Sequence, residues 1–432
     1  MKSPVIVQLE ITNLCNFKCP HCYRFDNHSC LNSQHEKIKH DKIFKISKKL
    51  IDLEIFEVVL TGGEPFMEKD LLMELINCFY DHGITVSLNT NLSLLREEFI
   101  DSGFLNKLKV LLVSCPSSIP ENYKFMTGGG NYEIFKESLK LLNGNFRNYF
   151  INMVVNKNNI NDIRKTASDL KSLGVKNFGA TPMMLNDLEV NKDTILNPGE
   201  VKRLVDDLIW VHDNLKMNVD IFEALPKCIF SEETLNRGFK FTKRKCQAGI
   251  TTISVSPEGN IMPCPNNTMV YGNILKDDFQ KVWHKMSNWK KRAYAPKECS
   301  ECSLLKICFG ACRVNAKSVN GTLDSPDPWM SQPLNYQLDS DKINYKWNEN
   351  DTLSMAGELQ YRREDEMYYL IAVKKRNNYV KVNKELFNFL LTLNNGTFYK
   401  LIDLAGSKKV FSSNEFQKII NFLLVKKIVI LN

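Results

Sequence analysis

Through residue 181 the apolar positions alternate between two periods. Residues 5–11 (Val-Ile-Val-Gln-Leu-Glu-Ile) read as a buried strand, and residues 36–53 place Ile38, Ile43, Ile46, Leu50, Ile51 and Leu53 among lysines at helical spacing. Residues 56–60 (Phe-Glu-Val-Val-Leu) form the next strand run. The alternation then continues with a helix near 69–82, a strand at 84–89, a helix near 95–106 and a strand at 109–114. A helix at 132–143, a strand at 149–155, a helix at 160–173 and a strand at 175–181 follow. About six strand-helix units of this kind favour parallel strands joined by right-handed crossovers, so the expected class is α/β, a partial (β/α)6 barrel. In such barrels the chemistry lies at the carboxyl ends of the strands. Each unusual segment falls there: Cys15 to Cys22 after the first strand, Gly62 to Pro65 after the second, Thr90-Asn91 after the third and Ser114-Cys115-Pro116 after the fourth.

Beyond the barrel, a helix at 198–216 and a strand at 218–222 lead to Ile250–Ser256, a Pro-Glu-Gly-Asn turn and Ile261-Met262, a hairpin flanked by Cys246 and Cys264. A helix around 276–292 separates it from Cys299-x2-Cys302-x5-Cys308-x3-Cys312. A polar stretch, 336–352, reads as a linker. The tail alternates as strands at 357–362, 367–374 and 379–382, then turns helical at 384–393, 398–405 and 413–424, with a closing strand at 428–431. That order matches the winged-helix plan. The expected division is therefore 1–225, 226–335, a linker, and 353–432.

Composition changes this picture in one respect. With 432 residues, 43% hydrophobic and 25% charged, the chain suits two or three soluble domains at about 150 residues each. No run of 18 apolar residues occurs, and Met1-Lys2-Ser3-Pro4 leads straight into a strand, so a cytoplasmic protein without a signal peptide is expected. Thirteen cysteines in such a chain argue for metal ligation over disulfides. The net charge of +8 is modest for the length. In the tail, the helix at 413–424 carries one lysine, Lys418, against Glu415, which disfavours nucleic acid as a partner.

Cys15, Cys19 and Cys22, spaced C-x3-C-x2-C, can bring three soft sulfurs to three corners of one iron-sulfur cube and leave the fourth iron open. Zinc would need a fourth ligand, for which only Cys30 or His28 is near. In Gly62-Gly63-Glu64-Pro65, two glycines allow close backbone approach to a ligand, and the carboxylate can accept from an ammonium group. Thr90-Asn91 and Ser114 read equally well as helix caps. Gly128-Gly129-Gly130 follows no strand and lacks a lysine-serine ending, so it is a loop and not a phosphate cradle.

These motifs together resemble the radical S-adenosylmethionine (radical SAM) superfamily, and the second cysteine field resembles its SPASM extension. The resemblance implies that Cys15, Cys19 and Cys22 hold a [4Fe-4S] cluster that binds S-adenosylmethionine, with Gly62, Gly63 and Glu64 on its amino group. His21 would pack on the adenine, a mild departure from the usual aromatic, while Thr90, Asn91 and Ser114 would meet the ribose and carboxylate. It further implies two auxiliary [4Fe-4S] clusters, the first on Cys246, Cys264 and Cys312 and the second on Cys299, Cys302 and Cys308. The family usually closes with a seventh cysteine, where this chain has Met330 after Asp327-Pro328-Trp329, which leaves open whether the second cluster is complete. Fourth ligands could then come from Asp324, Asp327, Met330, water or the substrate, with Cys228 as an extra thiol. Cys30, Cys78, Cys115 and Cys228 otherwise read as plain thiols.

The tail resembles a RiPP recognition element, a module that adds a leader peptide as a strand to its sheet edge. The implied activity is reductive cleavage of S-adenosylmethionine to a 5′-deoxyadenosyl radical that takes hydrogen from a ribosomally made precursor peptide. An external electron donor such as flavodoxin or ferredoxin is implied, with no membrane or nucleic-acid partner. Two alternatives stand beside it: a sulfatase-type formylglycine maturase acting on a protein substrate, and a non-catalytic zinc-binding winged-helix regulator. The catalytic acid or hydrogen donor is left open, Cys115 being one candidate.

Overall fold

Strand β1 (Ile6–Thr12) has Val7, Leu9 and Ile11 fully buried, as a strand with neighbours on both edges and helices against its face requires. A computed structural model describes residues 1–23, 40–185, 192–334, 351–376, 378–396, 399–401 and 413–432. They form two compact units, Ser3–Leu338 and Asp339–Asn432 together with Met1–Lys2.

In the larger unit, β1 is followed in chain order by parallel β2 (Glu57–Gly62), β3 (Thr85–Thr90), β4 (Leu108–Ser114), β5 (Tyr149–Val155), β6 (Asn177–Pro182) and β7 (Asn218–Asp220). The crossovers carry α1 (His40–Asp52), α2 (Lys69–Asp81), α3 (Glu97–Asp101), α4 (Pro120–Thr127), α5 (Tyr132–Asn145), α6 (Ile163–Ser172) and α7 (Pro198–Leu215). On the other edge of β1 lies β8 (Thr252–Val255), also parallel, followed by antiparallel β9 (Asn260–Met262) and β10 (Gly272–Asn273). Among the described residues the result is one sheet of ten strands in the order β10-β9-β8-β1-β2-β3-β4-β5-β6-β7, a barrel that does not close. The hairpin between Cys246 and Cys264 thus continues the barrel sheet.

Two helices differ from the periodicity reading. The stretch 95–106 breaks after α3 because Gly103 adopts φ 71°, and a 3-10 turn, Phe104–Lys107, completes it. The stretch 276–292 is two helices, Phe279–Lys285, capped by Asp278, and Ser287–Lys290. Helix α4, bounded by Pro120 in its first turn and Gly128 in the left-handed conformation, was not anticipated.

The smaller unit has its own core, with Leu353, Ile371, Leu390 and Leu423 at its centre. One antiparallel sheet joins β12 (Leu359–Arg363), β13 (Tyr368–Val373) and β14 (Tyr379–Asn383), after which Asn383 caps the helix Lys384–Asn394. A second sheet places β11 (Thr352–Met355) between β15 (Tyr399–Lys400) and β16 (Val429–Leu431), with the helix Ser413–Val425 preceding β16. Thr352 therefore opens a strand instead of closing a linker, whose residues 336–350 lie outside the described residues. Tyr399–Lys400 is a strand where a helix at 398–405 was expected; Phe398 and 402–405 also lie outside. Arg362, fully buried, pairs with Glu364 at 2.7 Å. Among the described residues no helix is long and apolar enough to cross a membrane.

Candidate functional site

The loop Cys15–Cys22 leaves β1 at its carboxyl end and is held on several sides. Gly63 N–H donates to Thr12 C=O and Glu64 N–H to Leu14 C=O, both at 2.8 Å, so the exit of β2 runs alongside the entry to the loop. A Cβ on Gly62 (φ 140°) would lie 2.4 Å from Thr12 O, and one on Gly63 only 2.0 Å from Leu14 O. The close approach that the glycine pair permits is thus to the loop's own backbone. On its other side Lys18 N–H donates to Thr127 C=O at 3.0 Å, and Phe17 meets Tyr123 edge-on at 6.4 Å. Asn16 donates to Ser93 Oγ at 2.8 Å and accepts from Asn91 Nδ2 at 2.9 Å. Asn13 Nδ2 reaches Glu258 Oε1, in the turn between β8 and β9, at 3.1 Å.

Within the loop, Cys22 N–H donates to Cys19 C=O at 3.1 Å. Burial raises the Cys19 thiol well above its ordinary range, and the neighbouring Cys22 and Cys15 sulfurs add to the shift. No disulfide joins any described cysteine. His21 Nδ1 is buried without a partner in the protein, and burial lowers the imidazole to about 4, leaving it neutral.

Glu64 is 1% exposed. Its Oε1 accepts from Thr90 Oγ at 2.7 Å and Phe66 N–H at 3.1 Å, and its Oε2 from Asn91 N–H at 2.7 Å. Burial lifts its carboxyl to about 7 against those three hydrogen bonds. The structure therefore brings Gly62, Gly63, Glu64, Thr90 and Asn91 together beside the cysteine loop. Ser114 is exposed at the end of β4, in register with Asn152. Cys115 is fully buried, with its S–H directed at Ser117 C=O at 3.5 Å.

The second cysteine field resolves into two groups. Cys246, Cys264 and Cys312 lie around Glu223: burial raises all three thiols, Cys246 to about 11, and the Glu223 carboxylate adds to each shift while accepting from Cys312. Asp327, 2% exposed, accepts from Cys312 N–H at 3.1 Å and Trp329 N–H at 3.0 Å, and burial lifts it to about 7. Asp324 is exposed. Cys299 is raised to about 11 by burial, then by Cys308, Cys302 and Cys228. Met330 Sδ lies 3.5 Å from Cys299 Sγ.

Buried cations accompany both groups. Arg313 donates to Tyr294, Leu323 and Ser325 carbonyls, yet its Nε and Nη2 are buried with no protein partner. Lys227, 1% exposed, is lowered to about 8 by burial and donates to the Phe241 and Arg244 carbonyls. Unfilled buried N–H groups beside clustered thiols fit anionic thiolate clusters, which need both soft ligands and compensating positive charge. Among the described residues no three His, Cys, Asp or Glu side chains are grouped to hold a single metal ion; His28 and Cys30, the further zinc candidates, lie outside the described residues.

Sequence reasoning missed Asn16, Ser93, Tyr123, Gly128 and Glu223. Of these only Gly128 carries a local signal, its place at the head of a glycine triplet.

Residues 9–170 match the radical SAM superfamily and residues 246–303 the SPASM iron-sulfur cluster-binding domain. Over 351 residues the chain is 23% identical to an AdoMet-dependent heme synthase of Methanosarcina barkeri, covering 76% of this chain and 96% of that protein. It is 22% identical over 344 residues to a PqqA peptide cyclase of Bradyrhizobium diazoefficiens (75% and 85% covered) and 24% over 348 residues to the mycofactocin maturase MftC of Mycolicibacterium smegmatis (76% and 83%). In fold it is similar to Streptococcus suis SuiB bound to precursor peptide SuiA, with a TM-score of 0.59 at 18% identity over 76% of this chain and 75% of that one.

Proposed function

Because this chain is a radical SAM enzyme with a SPASM extension, we propose that its substrate is a ribosomally made precursor peptide, which it modifies after taking a hydrogen atom from it. The observation that carries the reading is the placement of Cys15, Cys19 and Cys22 on one loop, pinned beside the Glu64, Thr90 and Asn91 network at the strand ends. Those three cysteines would hold a [4Fe-4S] cluster that, when bound, delivers an electron to the sulfonium of S-adenosylmethionine and so gives the 5′-deoxyadenosyl radical.

The chain's own residues do the positioning. The ends of β2 and β3 fix Glu64, Thr90 and Asn91 in one hydrogen-bonded set, which presents the Gly62-Gly63-Glu64 segment to the amino group of S-adenosylmethionine. His21, neutral and with a free buried nitrogen, would meet the adenine, and Ser114 the ribose or carboxylate. Cys246, Cys264 and Cys312 would hold one auxiliary cluster and Cys299, Cys302 and Cys308 another, in the 226–335 extension.

The smaller unit favours a peptide over a small molecule. Strands β12 and β14 are the edges of its sheet, and a leader segment added to one of them would pair through backbone. A cytoplasmic setting with flavodoxin or ferredoxin as electron donor completes the reading.

Anaerobic loading with iron and sulfide should give about 12 iron per chain, and reduction with S-adenosylmethionine should release 5′-deoxyadenosine. Cys15→Ala, Cys19→Ala or Cys22→Ala should each abolish that release. Undiminished nucleoside formation by any of the three removes the proposal, and a mass shift in a peptide encoded beside the gene tests the substrate.

A further inference from the structure

We infer that Cys228 is the fourth thiolate of the second auxiliary site, so that four cysteines, Cys228, Cys299, Cys302 and Cys308, enclose one cluster. The inference rests on the functional reading above and assigns a ligand that no family motif supplies.

Those four cysteines line a single cleft, with Lys227 and Met330 beside them. Three come from one stretch: Cys299 ends the 3-10 turn Lys297–Cys299, Cys308 ends the helix Leu305–Cys308, and Cys302 lies between. Cys228 arrives from 71 residues before Cys299, on the 3-10 turn Lys227–Ile229 that follows β7. Two backbone amides point at sulfur here. Lys227 N–H donates to Cys308 Sγ at 3.4 Å, and Ser331 N–H to Cys228 Sγ at 3.3 Å. Such bonds suit sulfurs that carry negative charge, and they tune the potential of a cluster held by them.

Met330 is the rival ligand. Its sulfur is a neutral thioether, whereas iron-sulfur clusters are held by thiolates. Next to it, Ser331 is bound to Cys228 twice, through the amide and through Oγ to Cys228 C=O at 2.6 Å. The segment that brings Met330 to the cleft is thus the one that fixes Cys228 there. Thioether and thiolate share the cleft, and only the thiolate can neutralise iron.

The test uses the full chain with Cys15, Cys19 and Cys22 all replaced by alanine, which leaves the auxiliary sites alone. Loaded anaerobically with iron and sulfide, this parent should take up about 8 iron per chain. Adding Cys228→Ala should lower the content to about 4, or to about 7 with a three-iron electron paramagnetic resonance signal. Cys228→Ser, which offers an oxygen ligand and guards against a folding defect, should keep about 8 iron but change the spectrum of the reduced protein. Met330→Ala should match the parent. Full iron and an unaltered spectrum in both Cys228 variants overturn the assignment, as does iron loss in Met330→Ala with Cys228→Ala intact. A parent that binds only about 4 iron or none instead removes the two-cluster reading itself, which separates the two failures.

Discussion

Glu64 accepts three hydrogen bonds and is still raised to about 7, because its removal from water outweighs them. An unfolded glutamate releases its proton near 4.5, so between about 4.5 and about 7 the folded chain holds a proton that the unfolded chain has lost. The contribution is full below the lower value and disappears as pH rises through the upper one, on the order of 3 kcal/mol in all. Urea unfolding at pH 5, 6, 7 and 8, before S-adenosylmethionine is added, should show stability falling with pH. Glu64→Gln should reduce that slope; Asp327, lifted to about 7 by burial, adds the same sign, while His21, lowered to about 4, adds the opposite sign below the ordinary histidine value. The cysteine spacing made the first loop legible as a candidate site, since residues of one loop are neighbours in sequence. Asn16, bonded to partners 75 and 77 residues away, had no local pattern to betray it.

Among the elements, the turn after α4 acts on the first cysteine loop without supplying a ligand. Gly128 has φ 65°, and a Cβ there would sit 2.2 Å from Lys18 O, a backbone atom that can move only if the loop moves. Gly128→Ala should therefore empty the first site and spare the auxiliary ones, lowering iron from about 12 to about 8 per chain and 5′-deoxyadenosine release at least tenfold. Gly83→Ala, at φ 73° with nothing within 4 Å, shares the backbone strain of about 1 kcal/mol and should keep both. Apolar period located the long parallel strands because their burial is continuous. It missed α4, eight residues long, and β10, two residues long, since neither spans enough turns or alternations to show a period. It also assigned Thr352 to a linker, because the polar residues before it hid a strand whose partner, β16, ends the chain.

At the scale of the whole molecule, two separate cores predict two unfolding transitions by calorimetry. Glu364 marks the smaller one. It pairs with the fully buried Arg362, and Glu364→Ala should cost that unit about 3 kcal/mol, shifting one transition and leaving the other in place. The α/β class and the cysteine-rich extension are legible in the sequence alone. The joining of the extension to the barrel sheet was not, because β8 pairs with β1 over a separation of 246 residues, far beyond any local signal. That pairing sets a timetable for synthesis. While the chain emerges from a ribosome, the strand that launches the first cysteine loop keeps one bare edge until residues 252–255 have followed it, so the base of that loop stays open to wrong strand partners through a separation of 246 residues.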